Sequence, residues 1–155
     1  MKLATFSNAA NETPRLGLVT GDAIVDLTAV AGAPGSMAEY LAGGATAEAA
    51  VRGAAGIEGL PLADVTLHAP MPKPGKVLAI GLNYGDHIAE SGMEPPKFQV
   101  WFNKQHNCIN DPYGPINLPE VSDKLDYEAE LCLLIGKRCK HVPRERAHEV
   151  IAGYF

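Results

Sequence analysis

The sequence predicts a mixed, β-rich α+β protein, and three features support this fold class. Glycine and proline, with 16 and 12 copies in 155 residues, are frequent enough to end short segments repeatedly. Short apolar runs alternate with turn residues near the N-terminus, which is typical of strands joined by tight turns. Two alanine-rich stretches then favour short helices. With 46% hydrophobic residues, the chain has enough apolar side chains to bury a core.

The first third of the chain predicts three strands and two helices. The strands are expected at 2–6, 15–19 and 23–27, with the polar stretch 7–14 and the turn at 20–22 between them. In that turn, Gly21 or Asp22 is a candidate for a positive φ. The helices are expected at 36–42 and 46–52. Ser36 and Thr46 are suitable N-cap residues for them, and two glycines lie between.

A proline-rich stretch predicts a domain boundary. Three prolines and a glycine between residues 70 and 75 favour a stiff, extended linker. The predicted domains are therefore a small β-rich domain at 1–69 and a second domain at 76–155. The second domain is expected to contain strands at 76–80, 99–102 and 125–135, a helix at 86–90, a loop at 111–119, and a helix at 143–152 that begins with Pro143 and ends at Gly153.

Charge and cysteine content restrict the classes of function. The net charge of -5, from 13 basic and 18 acidic residues, argues against nucleic acid or an anionic membrane as partner. Three cysteines in no paired spacing predict free thiols in a reducing compartment. We find no signal-peptide pattern and no apolar run of about 18 residues, which a bilayer span requires. The sequence therefore predicts a soluble, cytoplasmic protein.

Acidic residues alternate along the predicted strand at 125–135. In a strand, Asp126, Glu128 and Glu130 would lie on one face and apolar residues on the other. Two of these carboxylates could converge on one cation, and oxygen ligands favour Mg²⁺, Mn²⁺ or Ca²⁺ over zinc. The alternative is a solvent-facing strand whose acids keep an edge soluble. Taken alone, this segment favours the solvent-facing alternative.

A second polar group follows the strand at 76–80. If the chain is helical from Asp86 onward, His87 and Glu90 are neighbours on one helix face. A carboxylate beside an imidazole orients it and raises its basicity, as a general base near neutral pH requires. The alternative is an ordinary surface pair, which spacing alone favours. His68, His141 and His148 are expected at the surface.

Taken together in chain order, these segments resemble the fumarylacetoacetate hydrolase family. The matching runs are KVLAIGLNYGDHIAE at 76–90, FNK at 102–104, GPINLP at 114–119, LDYEAEL at 125–131, IGKRC at 135–139 and AGY at 152–154. The preceding residues resemble the small N-terminal domain that many members carry. The resemblance implies that the second domain is the first part of a β-roll of mixed sheets, which forms a homodimer in the full-length protein.

The resemblance also implies roles for individual residues. Glu128 and Glu130 correspond to the glutamates that bind Mg²⁺, Mn²⁺ or Ca²⁺, and His87 with Glu90 corresponds to a dyad that activates water. Asn83, Tyr84 and Lys104 are assigned to the substrate site. The implied reaction is hydrolytic C–C cleavage of a small 2,4-dioxo acid of the acylpyruvate type, or of a diketo sugar acid, through a metal-stabilised enolate. Isomerisation or decarboxylation of 2-oxo dicarboxylic acids would use the same enolate.

The family pattern also raises an expectation about what this chain lacks. The third metal ligand of the family would lie after Tyr154, beyond Phe155, and so would further substrate-site residues. Because the chain ends directly after apolar Tyr154 and Phe155, it is expected to be C-terminally truncated. An inactive fragment or interaction module is therefore the alternative from another functional class. An unrelated, metal-free β domain is the third.

Overall fold

The computed structural model describes residues 1–155, which divide into two units. The first unit contains Met1–Met71 together with Asp111–Phe155, and the second contains Pro72–Asn110. The chain thus leaves the first unit after Met71 and returns to it at Asp111. The domain division based on the prolines, 1–69 and 76–155, stays a prediction.

A five-stranded antiparallel sheet forms the centre of the first unit. Its strands are β1 (Lys2–Asn8), β2 (Asn11–Thr20), β3 (Ala23–Asp26), β4 (Leu60–Pro61) and β5 (Val65–His68), in the order β4-β3-β2-β1-β5. The three N-terminal strands expected from the sequence are confirmed, with bounds that differ by up to four residues. Gly21 has a φ of 62° in the β2–β3 turn, as the glycine predicts.

Alternation along the strands separates two sets of buried side chains. Leu16, Leu18 and Val25 pack with one helix, α1 (Met37–Gly53), and form the main apolar core with Leu27, Met37, Val51 and Ala54. Phe6 and Ile24 are fully buried on the opposite face of the sheet, beside Gly17. The sheet is therefore stabilised by apolar burial on both of its faces.

Helix α1 consists of two helical segments joined at a kink, as the sequence predicts. Ser36 caps it as expected, because its hydroxyl accepts a hydrogen bond from the Glu39 amide at 3.2 Å. Gly44, at φ 51° and ψ -132°, interrupts the helical backbone where the paired glycines predict a break. The N-cap prediction for Thr46 is wrong, because the helical backbone resumes directly after Gly44 and Thr46 lies within the second segment.

The second unit is a hairpin that carries a short helix. Its strands β6 (Val77–Gly81) and β7 (Val100–Lys104) pair antiparallel, with Val77 opposite Lys104 and Gly81 opposite Val100. Between them lies α2 (Gly85–Ser91), which ends at Gly92 in the left-handed conformation, with φ 65°. The strands predicted at 76–80 and 99–102 and the helix at 86–90 are confirmed, within two residues.

The predicted long strand at 125–135 is wrong over most of its length. Only β8 (Leu133–Ile135) is a strand, and residues 125–131 form no regular element. The face predicted to be core is exposed, with Tyr127 at 86%. A strand requires a neighbour to satisfy its backbone groups, and this chain supplies one only for Cys132–Ile135.

That neighbour comes from a segment predicted to be helical. The helix expected at 143–152 is wrong, because Arg144–Glu149 forms a 3-10 helix and β9 (Ile151–Tyr154) follows it as a strand. Pro143 is the residue before the 3-10 helix, and Gly153 pairs with Leu134 instead of capping a helix. Pairing with β8 satisfies the backbone groups of Ile151–Tyr154.

The chain is a mixed α/β protein built on antiparallel sheets, in agreement with the predicted class. Apart from α1 and α2, its helical segments are short 3-10 turns. Neither α-helix combines the length and the apolar content that a bilayer span requires.

Candidate functional site

Helix α2 begins immediately after strand β6 and places a group of polar residues at the surface. Leu82, the first residue after β6, has a φ of 53°, a conformation that residues other than glycine rarely adopt. The chain then turns through Asn83 and Tyr84, and the Tyr84 carbonyl accepts the hydrogen bond from the Ile88 amide at 3.1 Å. The strand–helix junction therefore fixes where α2 starts.

His87 and Glu90 lie on one face of α2, as their spacing predicts. The two residues are three positions apart in a regular helix and both are exposed. The shared face therefore places an imidazole and a carboxylate side by side at the surface of the second unit. The assignment of this pair as a catalytic dyad stays a prediction.

The three predicted substrate-site residues are not grouped at one end of the hairpin. Asn83 and Tyr84 follow the end of β6 and are exposed at the start of α2. Lys104 pairs with Val77, at the beginning of β6, and its ammonium lies 5.7 Å from the Phe102 ring centroid. Four residues of strand separate the two positions, which is roughly 13 Å. The helix start and Lys104 therefore lie at opposite ends of the hairpin.

Glu128 and Glu130 lie in the irregular segment before β8. Both are exposed, and both belong to the first unit. Regular pairing begins only after them, at Cys132, which forms two backbone hydrogen bonds of 3.0 Å with Phe155. The two glutamates are not held by a strand, so the face alternation predicted for them does not apply. Their role as metal ligands stays a prediction.

The carboxylate oxygens of these two glutamates are the type of ligand that a hard divalent cation prefers, but two side chains are too few to complete its coordination shell. Carboxylate oxygens suit Mg²⁺, Mn²⁺ and Ca²⁺. The chain brings together no group of three or more His, Cys, Asp or Glu side chains that could hold a metal ion. Two glutamates would therefore supply part of a coordination shell, and water or a substrate would have to supply the rest.

A hydrogen-bonded chain of three polar side chains, which we call the Ser7–His68–Asp111 relay, is not predicted by the sequence. Ser7 Oγ lies 2.8 Å from His68 Nε2, and His68 Nδ1 lies 2.8 Å from Asp111 Oδ2. The other carboxylate oxygen of Asp111 accepts a hydrogen bond from the Ala69 amide at 2.8 Å. The surface position expected for His68 is wrong, since its side chain is only 17% exposed.

The relay lowers the pKa of the Asp111 carboxyl. The hydrogen bond from His68 is the largest cause, and the Ala69 amide adds to it. The relay joins residues 43 positions apart, and the sequence contains no local pattern that could have revealed it.

Comparison with known proteins identifies the family. The sequence model of the family described as fumarylacetoacetate (FAA) hydrolase C-terminal matches residues 76–155, which contain all the predicted site residues. The mitochondrial oxaloacetate tautomerase fahd2 of Xenopus laevis is 36% identical over 159 residues, which covers 99% of this chain and 50% of that protein. The human oxaloacetate tautomerase FAHD2A is also 36% identical and is covered to 51%.

A solved structure extends the similarity to the fold. Maleylpyruvate hydrolase from Sphingobium sp. SYK-6, crystallised with manganese(II) and pyruvate, has a TM-score of 0.80 and 33% sequence identity. The similarity covers 99% of this chain and 56% of that one. The chain thus spans about half the length of these relatives, whose names describe enzymes. From residue 76 to residue 155, and by similarity along nearly all of its length, the chain belongs to the fumarylacetoacetate hydrolase family.

Proposed function

We propose that this chain carries part of the active site of a divalent-metal-dependent hydrolase that cleaves a C–C bond in 2,4-dioxo acids of the acylpyruvate type. The observation that carries the proposal is the exposed His87–Glu90 face of α2, placed directly after β6 within the region that matches the family. The maleylpyruvate hydrolase crystallised with manganese(II) and pyruvate supports a 2-oxo acid as ligand class.

In the proposed reaction, the imidazole of His87 accepts a proton from a water molecule, and Glu90 stabilises the imidazolium that forms. The resulting hydroxide adds to the distal carbonyl carbon of the substrate. The C–C bond then breaks, its electron pair stays on the methylene carbon of the pyruvate half, and His87 returns the proton to that carbon. One water is consumed, and the products are a carboxylic acid and pyruvate.

The remaining predicted residues bind and orient the substrate. Asn83 and Tyr84 stand at the start of α2, where an amide and a phenol can donate hydrogen bonds to substrate oxygens. Lys104, at the other end of the hairpin, would attract a substrate carboxylate. Glu128 and Glu130 would hold the divalent cation, which when bound supplies Lewis-acid polarisation of the substrate carbonyl oxygens.

Tautomerisation of a 2-oxo dicarboxylic acid is the second candidate. The oxaloacetate tautomerases at 36% identity favour it. In this reaction, His87 would remove a proton from the carbon beside the oxo group and deliver it to the oxo oxygen, without addition of water. Decarboxylation would form an enolate of the same kind as carbon dioxide leaves, and protonation of its carbon would give pyruvate. A catalytically inactive module is the remaining alternative.

An assay on two substrates separates these candidates. The chain is incubated with Mn²⁺ and either an acylpyruvate or oxaloacetate, and products are followed by NMR. Pyruvate together with the matching carboxylic acid supports the hydrolase. Faster keto–enol exchange of oxaloacetate, with no cleavage of the acylpyruvate, supports the tautomerase. Pyruvate and carbon dioxide from oxaloacetate support the decarboxylase, and no turnover of either substrate supports the inactive module.

The metal role of the glutamates has its own test. Titration calorimetry with Mn²⁺ is expected to show binding that Glu128→Gln or Glu130→Gln weakens by roughly tenfold or more. Glu120→Gln is the matched control, since Glu120 is exposed in the loop that leads to the same segment. Equal affinities for all these variants would contradict the assignment.

A further inference from the structure

The second unit is inserted between two points of the first unit that are tied together. The chain leaves after Met71, shortly after His68 and Ala69, and returns at Asp111. Asp111 contacts two consecutive residues at the end of β5. Its Oδ2 lies 2.8 Å from His68 Nδ1, and its Oδ1 accepts a hydrogen bond from the Ala69 amide at 2.8 Å. A single carboxylate therefore closes the 72–110 segment at its two ends.

The departure point is itself fixed to the central sheet. Strand β5 pairs with β1 from Val65 to His68, Ser7 lies 2.8 Å from His68 Nε2, and the Thr5 hydroxyl donates to the Pro70 carbonyl at 3.0 Å. Thr5 and Ser7 are both buried in β1, so this anchor lies in the interior of the first unit. The return point at Asp111 is connected to the same anchor through its bonds to His68 and Ala69.

The relay has the hydrogen-bond order of a nucleophilic serine site, but its place in the fold does not suit that role. Ser7 is buried, and strand β1 lies between β2 and β5. The Ser7 hydroxyl is therefore poorly accessible to a substrate carbonyl. The sequence around Ser7 also lacks the sharp strand–turn–helix geometry that exposes such a nucleophile. The relay is therefore suited to holding chain segments together.

We propose that His68 and Asp111 are positioning residues for the reaction, because they close the ends of the segment that carries His87 and Glu90. This inference rests on the proposed function, in which His87 is the base and Glu90 its partner. Closing the 72–110 segment reduces the number of conformations open to it. A smaller ensemble leaves the imidazole in its productive position for a larger fraction of the time.

The first test does not require activity. Amide hydrogen exchange of the full chain is compared for wild type, Asp111→Asn and Asp64→Asn, the last being an exposed aspartate just before β5. Asparagine at 111 keeps an acceptor for the Ala69 amide and loses the carboxylate that faces His68. We expect Asp111→Asn to speed exchange in 77–104 by roughly tenfold and exchange in β1–β3 by clearly less, with Asp64→Asn unchanged throughout. Unchanged exchange in 77–104, or equal acceleration throughout the chain, would overturn the proposal.

The second test uses turnover and distinguishes positioning from stability. Asp111→Asn is expected to lower kcat roughly tenfold with little change in KM, and to have no further effect in a His87→Ala background. A fall by the same factor in both backgrounds would contradict a positioning role. If the chain has no 2-oxo acid activity, the proposed function fails, and the hydrogen-exchange result still decides whether the relay holds the segment.

Discussion

His68 Nδ1 and Asp111 Oδ2 lie 2.8 Å apart and join two residues 43 positions distant in the chain. The imidazole is largely buried, whereas the carboxylate is 47% exposed. This contact and the bond from the Ala69 amide lower the pKa of Asp111 in the folded protein. The stability of the first unit should therefore depend on the ionisation of this carboxyl.

The pH dependence has a definite sign. Because the folded-state pKa of Asp111 is below its unfolded value of about 3.9, its contribution to stability is complete above that value and is lost as the pH falls through the folded pKa. We predict that Asp111→Asn lowers the urea midpoint at pH 7 and that the difference from wild type shrinks below about pH 4. Asp64→Asn should show no such convergence. A constant difference from pH 7 to pH 3 would contradict this prediction.

Two ion pairs of equal length should differ in their effect on stability because of burial. Arg15 Nε lies 2.6 Å from Asp26 Oδ2 with its side chain 6% exposed, and its guanidinium also donates to Asn8, Asn11 and Thr13. We predict that Arg15→Met costs about 3 kcal/mol of unfolding free energy, since it leaves a partly buried carboxylate unpaired.

The matched control is the exposed pair on helix α1. Arg52 Nη2 also lies 2.6 Å from a carboxylate oxygen, that of Glu48, but its side chain is 63% exposed. Arg52→Met should change the free energy of unfolding by about 0.5 kcal/mol or less. Chemical denaturation of both variants at neutral pH measures the difference. Equal costs for the two substitutions would show that burial does not govern these pairs.

Gly17 packs too closely against buried side chains to tolerate a larger residue. A Cβ atom at this position would lie 2.5 Å from Ile24 Cγ1 and 2.8 Å from Phe6 Cε1. We predict that Gly17→Ala destabilises the protein by about 1–3 kcal/mol through overpacking. Gly56→Ala, where a Cβ would meet nothing within 4 Å, should be neutral or slightly stabilising. Thermal melts compare the two, and similar losses in both would refute the packing argument.

The single tryptophan reports on the surface of the β6–β7 hairpin. Trp101 is 56% exposed and its indole N–H donates to Gln99 at 3.2 Å. At low protein concentration, we predict fluorescence emission close to that of free indole and efficient quenching by acrylamide. A concentration-dependent blue shift would show that a second copy covers this hairpin, as the predicted homodimer allows. A blue-shifted emission at every concentration would contradict the exposure of Trp101.

Local patterns were sufficient to predict the N-terminal strands and helix α2. The strands at 2–8 and 23–26 follow from apolar alternation and from Gly21, which are features of neighbouring residues. The start of α1 follows from Ser36 in the same way, because a cap acts within one turn. His87 and Glu90 share a helix face as predicted, since their spacing depends only on the helical repeat.

Features that depend on distant segments could not be predicted. Residues 125–131 have the alternation of a strand, but a strand also requires a neighbour, and only Cys132–Ile135 finds one in β9. The segment at 151–154 has helix-compatible residues, and its pairing with β8 overrides that preference. The His68–Asp111 contact depends on how the chain returns from the second unit, which no local pattern encodes.

The central claim is that His87 is the base for chemistry on a 2-oxo acid, and one measurement tests it most directly. Turnover of an acylpyruvate with Mn²⁺ is compared for wild type, His87→Ala and His106→Ala, which removes another exposed histidine of the second unit. We predict that His87→Ala lowers kcat roughly 100-fold or more while His106→Ala leaves it unchanged. Equal turnover by wild type and His87→Ala would contradict the account.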